Sequence, residues 1–209
     1  MIRLAPEGYP FIGGFFFLSG LFFAGGLTLP FSLSVLLFLF MVFFFRDPER
    51  TPPSEKGIFV APADGKVILI RKSFEDRYLK KDVWQLSIFM SPLDVHVNRS
   101  PQDGIVRKVI HNRGRFLAAY RDEASLKNEN IEMVLETSYG DILVRQVAGF
   151  IARRAVCRVK EGDRLRLGER YGIIKFSSRL DVYLPSDTEI TVKPSDRVKA
   201  GETIIGRIR

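Results

Sequence analysis

Three short segments of this chain carry side chains whose chemistry goes beyond packing. They are Ala61-Pro62-Ala63-Asp64-Gly65-Lys66, Ser91-Pro92-Leu93-Asp94-Val95-His96-Val97-Asn98-Arg99 and Phe176-Ser177-Ser178-Arg179-Leu180-Asp181. A carboxylate, an imidazole and a hydroxyl on separate loops can form a relay in which a base takes the hydroxyl proton, because serine is a poor nucleophile until a neighbour does so. The chain holds two histidines, His96 and His111; His96 is the candidate base and His111 the weaker alternative. Residue types alone do not select this reading: Asp-Gly is an ordinary turn dipeptide, a single histidine is commonly a surface residue, and Ser-Ser is a frequent pair. One cysteine, two distant histidines and no close carboxylate cluster leave nothing to hold zinc. No glycine-rich loop follows a strand to cradle a nucleotide.

The elements that must position these groups are mostly strands. Short Val-, Ile- and Phe-rich runs bounded by Gly, Asp, Pro and Ser predict strands near 58–60, 66–70, 83–89, 105–110, 131–137, 142–147, 155–159, 173–176, 182–184 and 204–208. A helical or irregular insert is expected over 116–130, which is rich in Ala, Leu, Lys and Glu. An internal repeat supports a duplicated unit: Val159-Lys160, Asp163-Arg164 and Gly168-Glu169 recur as Val192-Lys193, Asp196-Arg197 and Gly201-Glu202. The expected fold is mainly β (α+β), a duplicated domain resembling a barrel-sandwich, over 57–209.

Ahead of it, no charged residue occurs from Pro10 to Phe45. About 20 apolar residues make one spanning helix, so this tract accommodates a transmembrane helical hairpin over 1–45 that turns near Thr28-Leu29-Pro30; a single long tilted helix is the alternative. Arg3 on one flank, with Arg46, Arg50 and Lys56 on the other, puts both flanks and the domain behind them on the cytoplasmic side of the cell membrane. A cleaved signal peptide would need a shorter apolar core and a small-residue site, whereas Arg46-Asp47-Pro48 follows directly. Residues 46–56, with three prolines among charges, read as a linker. The formal charge of +8 suits anionic headgroups, at about 1 kcal/mol per surface cation, and no nucleic-acid motif competes for it. The lone Cys157 makes no intrachain disulfide.

The order of 61–67 (APADGKV), 89–101 (FMSPLDVHVNRSP), Asn128-Glu129-Asn130 and 176–185 (FSSRLDVYLP) resembles the short form of the phosphatidylserine decarboxylase family, from the apolar tract to the last strand. The resemblance implies a proenzyme that cuts itself between Ser177 and Ser178, giving a large subunit, 1–177, and a small one, 178–209. The Ser178 hydroxyl would attack the Ser177 carbonyl; elimination then leaves dehydroalanine, which hydrolyses to a pyruvoyl group and ammonia. That cofactor joins the headgroup amine of the phospholipid as a Schiff base and accepts the electrons released as phosphatidylserine loses carbon dioxide and becomes phosphatidylethanolamine. The family pattern assigns Asp64 and His96 to self-cleavage, and His96 is also the candidate proton donor to the product.

Two positions depart from the pattern. Arg99 stands where longer relatives have a second histidine, and Ser177 stands where glycine is usual; Arg179 to Tyr183 still align the cut at Ser178. Arg99, Arg113 and Arg115 are candidates for the headgroup phosphate. Other outcomes consistent with the residues are an unprocessed, inactive lipid-binding relative and a decarboxylase of another seryl lipid such as archaetidylserine. A soluble amino-acid decarboxylase fits the apolar tract poorly, and a homodimer is compatible with all of these.

Overall fold

The computed structural model describes residues 3–114, 128–149, 154–176 and 178–208. Ser177, Arg115 and the insert expected over 116–130, as far as residue 127, lie outside them. The chain divides into two compact units, 1–49 and 50–209.

In the first unit a 3-10 turn (Pro6–Gly8) leads into α1 (Tyr9–Ala24), which is followed by α2 (Thr28–Phe44). Rings pair along the two helices in antiparallel order: Phe23 with Phe31 at 5.4 Å, Phe16 with Phe38 at 5.9 Å and Phe11 with Phe45 at 5.6 Å. The turn falls at Gly25-Gly26-Leu27, ahead of the expected position. Gly26 supplies the left-handed residue (φ +67°), and Pro30 sits in the first turn of α2, where a missing N–H costs no helical hydrogen bond. Large apolar side chains point outward, Phe17 at 71% and Leu29 at 79% exposure. The helical stretch Pro6–Ala24 is long and apolar enough to cross a membrane by length and composition; Thr28–Phe44 is a shorter apolar helix.

The second unit is all strand among the described residues. In chain order these are β1 (Ile58–Val60), β2 (Gly65–Glu75), β3 (Lys81–Met90), β4 (Val97–Arg99), β5 (Gly104–Asn112), β6 (Asn130–Thr137), β7 (Gly140–Ala148), β8 (Ala155–Cys157), β9 (Arg164–Leu165), β10 (Arg170–Ile174), β11 (Ser178–Pro185), β12 (Thr188–Ile190), β13 (Arg197–Val198) and β14 (Ile204–Ile208). An eight-stranded sheet runs β13-β2-β3-β11-β7-β6-β5-β9, and two three-stranded sheets run β1-β14-β12 and β4-β10-β8.

This order is palindromic about the β11–β7 junction, and each half has its own three-stranded sheet. The domain is therefore a duplication. One copy, β4 to β10, is continuous; the other is built from β1–β3 and β11–β14, so the continuous copy is inserted between two paired strands of its sister. The registers agree. Val67 faces Ile88 ahead of a bulge in one copy, and Val106 faces Leu135 ahead of a bulge in the other. A Cβ on Gly65 would lie 2.2 Å from the Phe89 carbonyl oxygen, and one on Gly104 2.4 Å from that of Glu136. The backbone N–H of Ala200 donates to Asp64 Oδ1 at 2.7 Å, and that of Leu167 to Asp103 Oδ1 at 2.8 Å. The copies thus include a second repeat, Ala61-Pro62-x-Asp64-Gly65-x-Val67 against Ser100-Pro101-x-Asp103-Gly104-x-Val106, beyond the one recognised at 159–169 and 192–202.

Strand alternation divides the large sheet into two faces. Leu86, Ile88, Met90, Met133, Leu135, Val144, Leu180 and Val182 fill the interior. The opposite face of β11 and β7 is buried yet charged. Arg179 donates to Asp181 at 2.6 Å and to the Ser87 hydroxyl at 2.7 Å, while Arg145 donates to Glu132 at 2.7 Å and to the Tyr183 hydroxyl at 2.6 Å. None of these four charged residues exceeds 3% exposure. Burial works to lower the Arg145 pKa, but Tyr183, Glu132 and Asp181 outweigh it and the net shift is upward. Breaking a buried pair leaves an uncompensated charge, so Asp181→Asn is expected to cost about 3–5 kcal/mol, read as a lower urea midpoint for the domain.

Candidate active site

Ser178 is the first residue of β11, and its backbone pairs on both sides, with Met90 of β3 and Ala148 of β7. It is fully buried and points to the interior face, where its hydroxyl donates to Met90 Sδ at 3.5 Å. A thioether is a weak acceptor, so this contact holds the hydroxyl lightly. The expected strand 173–176 instead ends at Ile174. Phe176 then takes a left-handed φ of +58°, a conformation that costs a side-chain-bearing residue about 1–2 kcal/mol. Strain is thus stored two residues before Ser178, next to the position where the family pattern has glycine.

His96 lies at the end of the 91–96 loop, at 1% exposure. Its carbonyl accepts from Ile174 N at 3.3 Å, which sets it beside the end of β10, four residues ahead of Ser178 in the chain. Its ring Nδ1 is 2.9 Å from the Asp94 carbonyl oxygen. That oxygen can only accept, so Nδ1 carries the proton, and in the neutral ring the lone pair belongs to Nε2. Asp94 shapes the loop: its Oδ2 accepts from the Ser91 N–H at 2.8 Å and the Ser91 hydroxyl at 2.7 Å, and its Oδ1 from Arg197 at 3.1 Å.

Asp64 precedes β2, whose Lys66 faces Phe89, the neighbour of Met90. Its Oδ2 accepts from Arg50 at 2.9 Å, and Arg50 also reaches Glu202 at 2.9 Å. The bond from Ala200 to Asp64 recurs at Asp103 and belongs to the fold; the pairing with Arg50 distinguishes Asp64.

The remaining candidates disperse. His111 is exposed on β5, separated from β11 by β6 and β7. Arg99 is buried and donates to the Gly168 carbonyl at 2.9 Å, which makes it a clamp on the repeated turns; Arg113 is exposed. Cys157 is half-buried, and burial pushes its thiol pKa up. Among the described residues no three His, Cys, Asp or Glu side chains converge to hold a metal.

Residue-type reasoning passed over Met90, Asn98 and Gln146. Asn98 Nδ2 lies 3.8 Å from the same Met90 sulfur that Ser178 touches, and Gln146 Nε2 donates to Asn98 Oδ1 at 2.8 Å. The signal for Gln146 was present: it is the polar residue on the inward face of an otherwise apolar strand, between Val144 and Ala148.

Comparison with known proteins identifies the family. A family model described as phosphatidylserine decarboxylase matches residues 37–206. Three curated relatives, each called phosphatidylserine decarboxylase proenzyme, align over nearly their whole lengths. The Geobacter metallireducens protein is 46% identical over 97% of this chain and 95% of its own. That of Syntrophotalea carbinolica is 46% identical over 99% and 97%, and that of Desulfotalea psychrophila 42% over 99% and 97%. Matched over most of its length by this family model and by these relatives, the chain belongs to the phosphatidylserine decarboxylase family and is a carboxy-lyase.

Proposed function

We propose that the chain is a proenzyme that cleaves itself before Ser178 and, with the pyruvoyl group so formed, decarboxylates phosphatidylserine to phosphatidylethanolamine. The observation that carries this reading is the setting of Ser178: a buried hydroxyl at the first position of the central strand, just after a strained residue, in a chain whose relatives are called proenzymes. A small uncharged ketone fits there, since position 178 is fully buried and its side chain meets the Met90 thioether, and burying an uncharged group costs far less than burying a charge. Once present, that ketone supplies an electron sink for the departing carboxylate's electrons, as pyridoxal phosphate does in other enzymes.

The chain's own residues have separable tasks. His96, with its lone pair on Nε2, takes the proton of the Ser178 hydroxyl during self-cleavage, and its imidazolium form returns a proton to the substrate's α-carbon. Asp64, held in place by Arg50 and the Ala200 N–H, is the acidic partner of His96 in self-cleavage. The ladder partners of β11 hold the small subunit, 178–209, in place after the cut. The exposed apolar surface of α1 and α2 anchors the chain where its substrate resides, and Arg3, Arg46, Arg50 and Lys56 set the catalytic domain on the cytoplasmic face.

Intact mass of the detergent-purified protein tests the central claim. The expected result is two chains, 1–177 and 178–209, the second blocked to Edman degradation and carrying the pyruvoyl mass, with Ser178→Ala giving a single full-length chain. A wild-type protein of full length only would sink the reading and favour the unprocessed lipid-binding relative. For His96→Gln, loss of a positioned proton-transfer group predicts a fall of about 10²–10⁴-fold in the rate of cleavage, of decarboxylation, or of both. Unchanged values for both would remove His96 from the mechanism.

A further inference from the structure

The duplication provides an internal control on which residues the fold requires and which serve the site. Ile88 of β3 faces Leu180 of β11, and its counterpart Leu135 of β6 faces Ile142 of β7, so Leu180 corresponds to Ile142, Leu184 to Gln146 and Ser178 to Gly140. Likewise Ile58 corresponds to Val97, and hence Phe59 to Asn98. The correspondence holds in detail. Phe59 pairs with Gly206 and Asn98 with Gly172; a Cβ on Gly206 would lie 3.4 Å from Leu184, and one on Gly172 2.9 Å from Gln146 Nε2.

One copy therefore joins its two sheets at this point with Phe59 and Leu184, both fully buried. Its sister joins them with Asn98 and Gln146, at 0% and 1% exposure. The fold is content with two apolar side chains; the amides occur in the pair that reaches across to the sister copy's Met90, whose sulfur both Asn98 and Ser178 touch. The amides are also not saturated. Gln146 Nε2 donates to Asn98 Oδ1, with the Val156 carbonyl at 3.4 Å, but Gln146 Oε1 has no hydrogen-bond partner among the described residues. An unmet buried acceptor is costly and seldom kept without a use.

We propose that Gln146 is a specificity-determining residue for the amine of the substrate: its Oε1 accepts an N–H from the primary amine of a phosphorylated headgroup as that amine meets residue 178, while Asn98 orients the Gln146 amide. The proposal rests on the pyruvoyl reading above and names the residue that would recognise the nucleophilic nitrogen. An apolar wall there would leave the N–H buried without an acceptor.

The sister copy supplies the variant for the test, Asn98→Phe with Gln146→Leu, a pair this fold already packs. The probe is phosphoethanolamine with cyanoborohydride: the amine nitrogen replaces the ketone oxygen, which leaves as water, and hydride completes the C–N bond. No carboxylate is lost, so the readout is the mass of the 178–209 fragment with time, alongside thermal midpoint and extent of self-cleavage. The double variant is expected to fold with the wild-type midpoint, to cleave, and to capture the amine at least tenfold more slowly. Gln146→Glu, which keeps an acceptor oxygen, is expected to stay within threefold of wild type.

Capture by the cleaved double variant within threefold of wild type would overturn the proposal, and so would a folded double variant that fails to cleave, because the amides would then serve the chain's own scission. If the double variant does not fold, Gln146→Leu and Gln146→Glu decide, and equal capture rates refute the assignment. A wild-type chain that never cleaves would instead remove the pyruvoyl reading on which this one stands.

Discussion

The constraint on which the rest of the structure depends is that Ser178 opens a strand in the middle of a sheet. A serine on a surface loop could be cut before and lost, but Ser178 begins a strand whose every residue pairs with β3 and most of whose residues pair with β7. Severing the chain at its N-terminal edge removes one covalent bond and none of these. The buried pairs of Arg179 with Asp181 and of Arg145 with Glu132 act on the opposite face. They contribute little net stability if weighed against apolar replacements, yet each would be costly to half-break. That asymmetry would suit the proposed self-cleavage, after which the strand must stay in register without its upstream connection.

Symmetry explains where the chemistry is placed. In the continuous copy β6 and β7 close through a short turn ending at Gly140, whereas in the interrupted copy the corresponding turn is replaced by the whole sister unit, and the chain re-enters the sheet at Ser178. Re-entry brings a strained Phe176 two residues ahead of a buried serine, a setting the turn at Gly140 does not reproduce. The polar residues of the site are substitutions at positions where the other copy is bland: Gly57 against His96, Phe59 against Asn98, Leu184 against Gln146. Asp64 differs in kind, since Asp103 has the same turn-fixing bond and Asp64 is paired with Arg50 as well.

Much of this was legible in the sequence. Alternating Val, Ile and Phe between Gly, Asp and Pro marked the long strands, because side chains on a half-buried pleat must alternate. The two-residue strands Arg164–Leu165 and Arg197–Val198 left no such trace, being too short to show a period. The turn of the helical pair was read from Pro30, although a proline in a first helical turn is no obstacle and Gly26 was the stronger signal. Arg99 was read as a possible phosphate ligand from its charge; that its guanidinium closes on the Gly168 carbonyl depends on two turns brought together from far along the chain, a relation no local pattern encodes. The amide pair was missed for the same reason: Asn98 and Gln146 are 48 residues apart and meet only because β4 and β7 belong to different sheets.

The last strand has a bearing on timing. Ile204–Ile208 lies between β1 and β12 and is the partner that completes β1. β1, early in the domain, therefore waits for β14, and the interrupted copy cannot close until residues 204–208 have been made. The apolar helices α1 and α2 precede all of these strands in the chain. On the proposed reading, topology then sets an order of events: the duplicated sheets close only when β14 has joined β1, and self-cleavage would follow that closure.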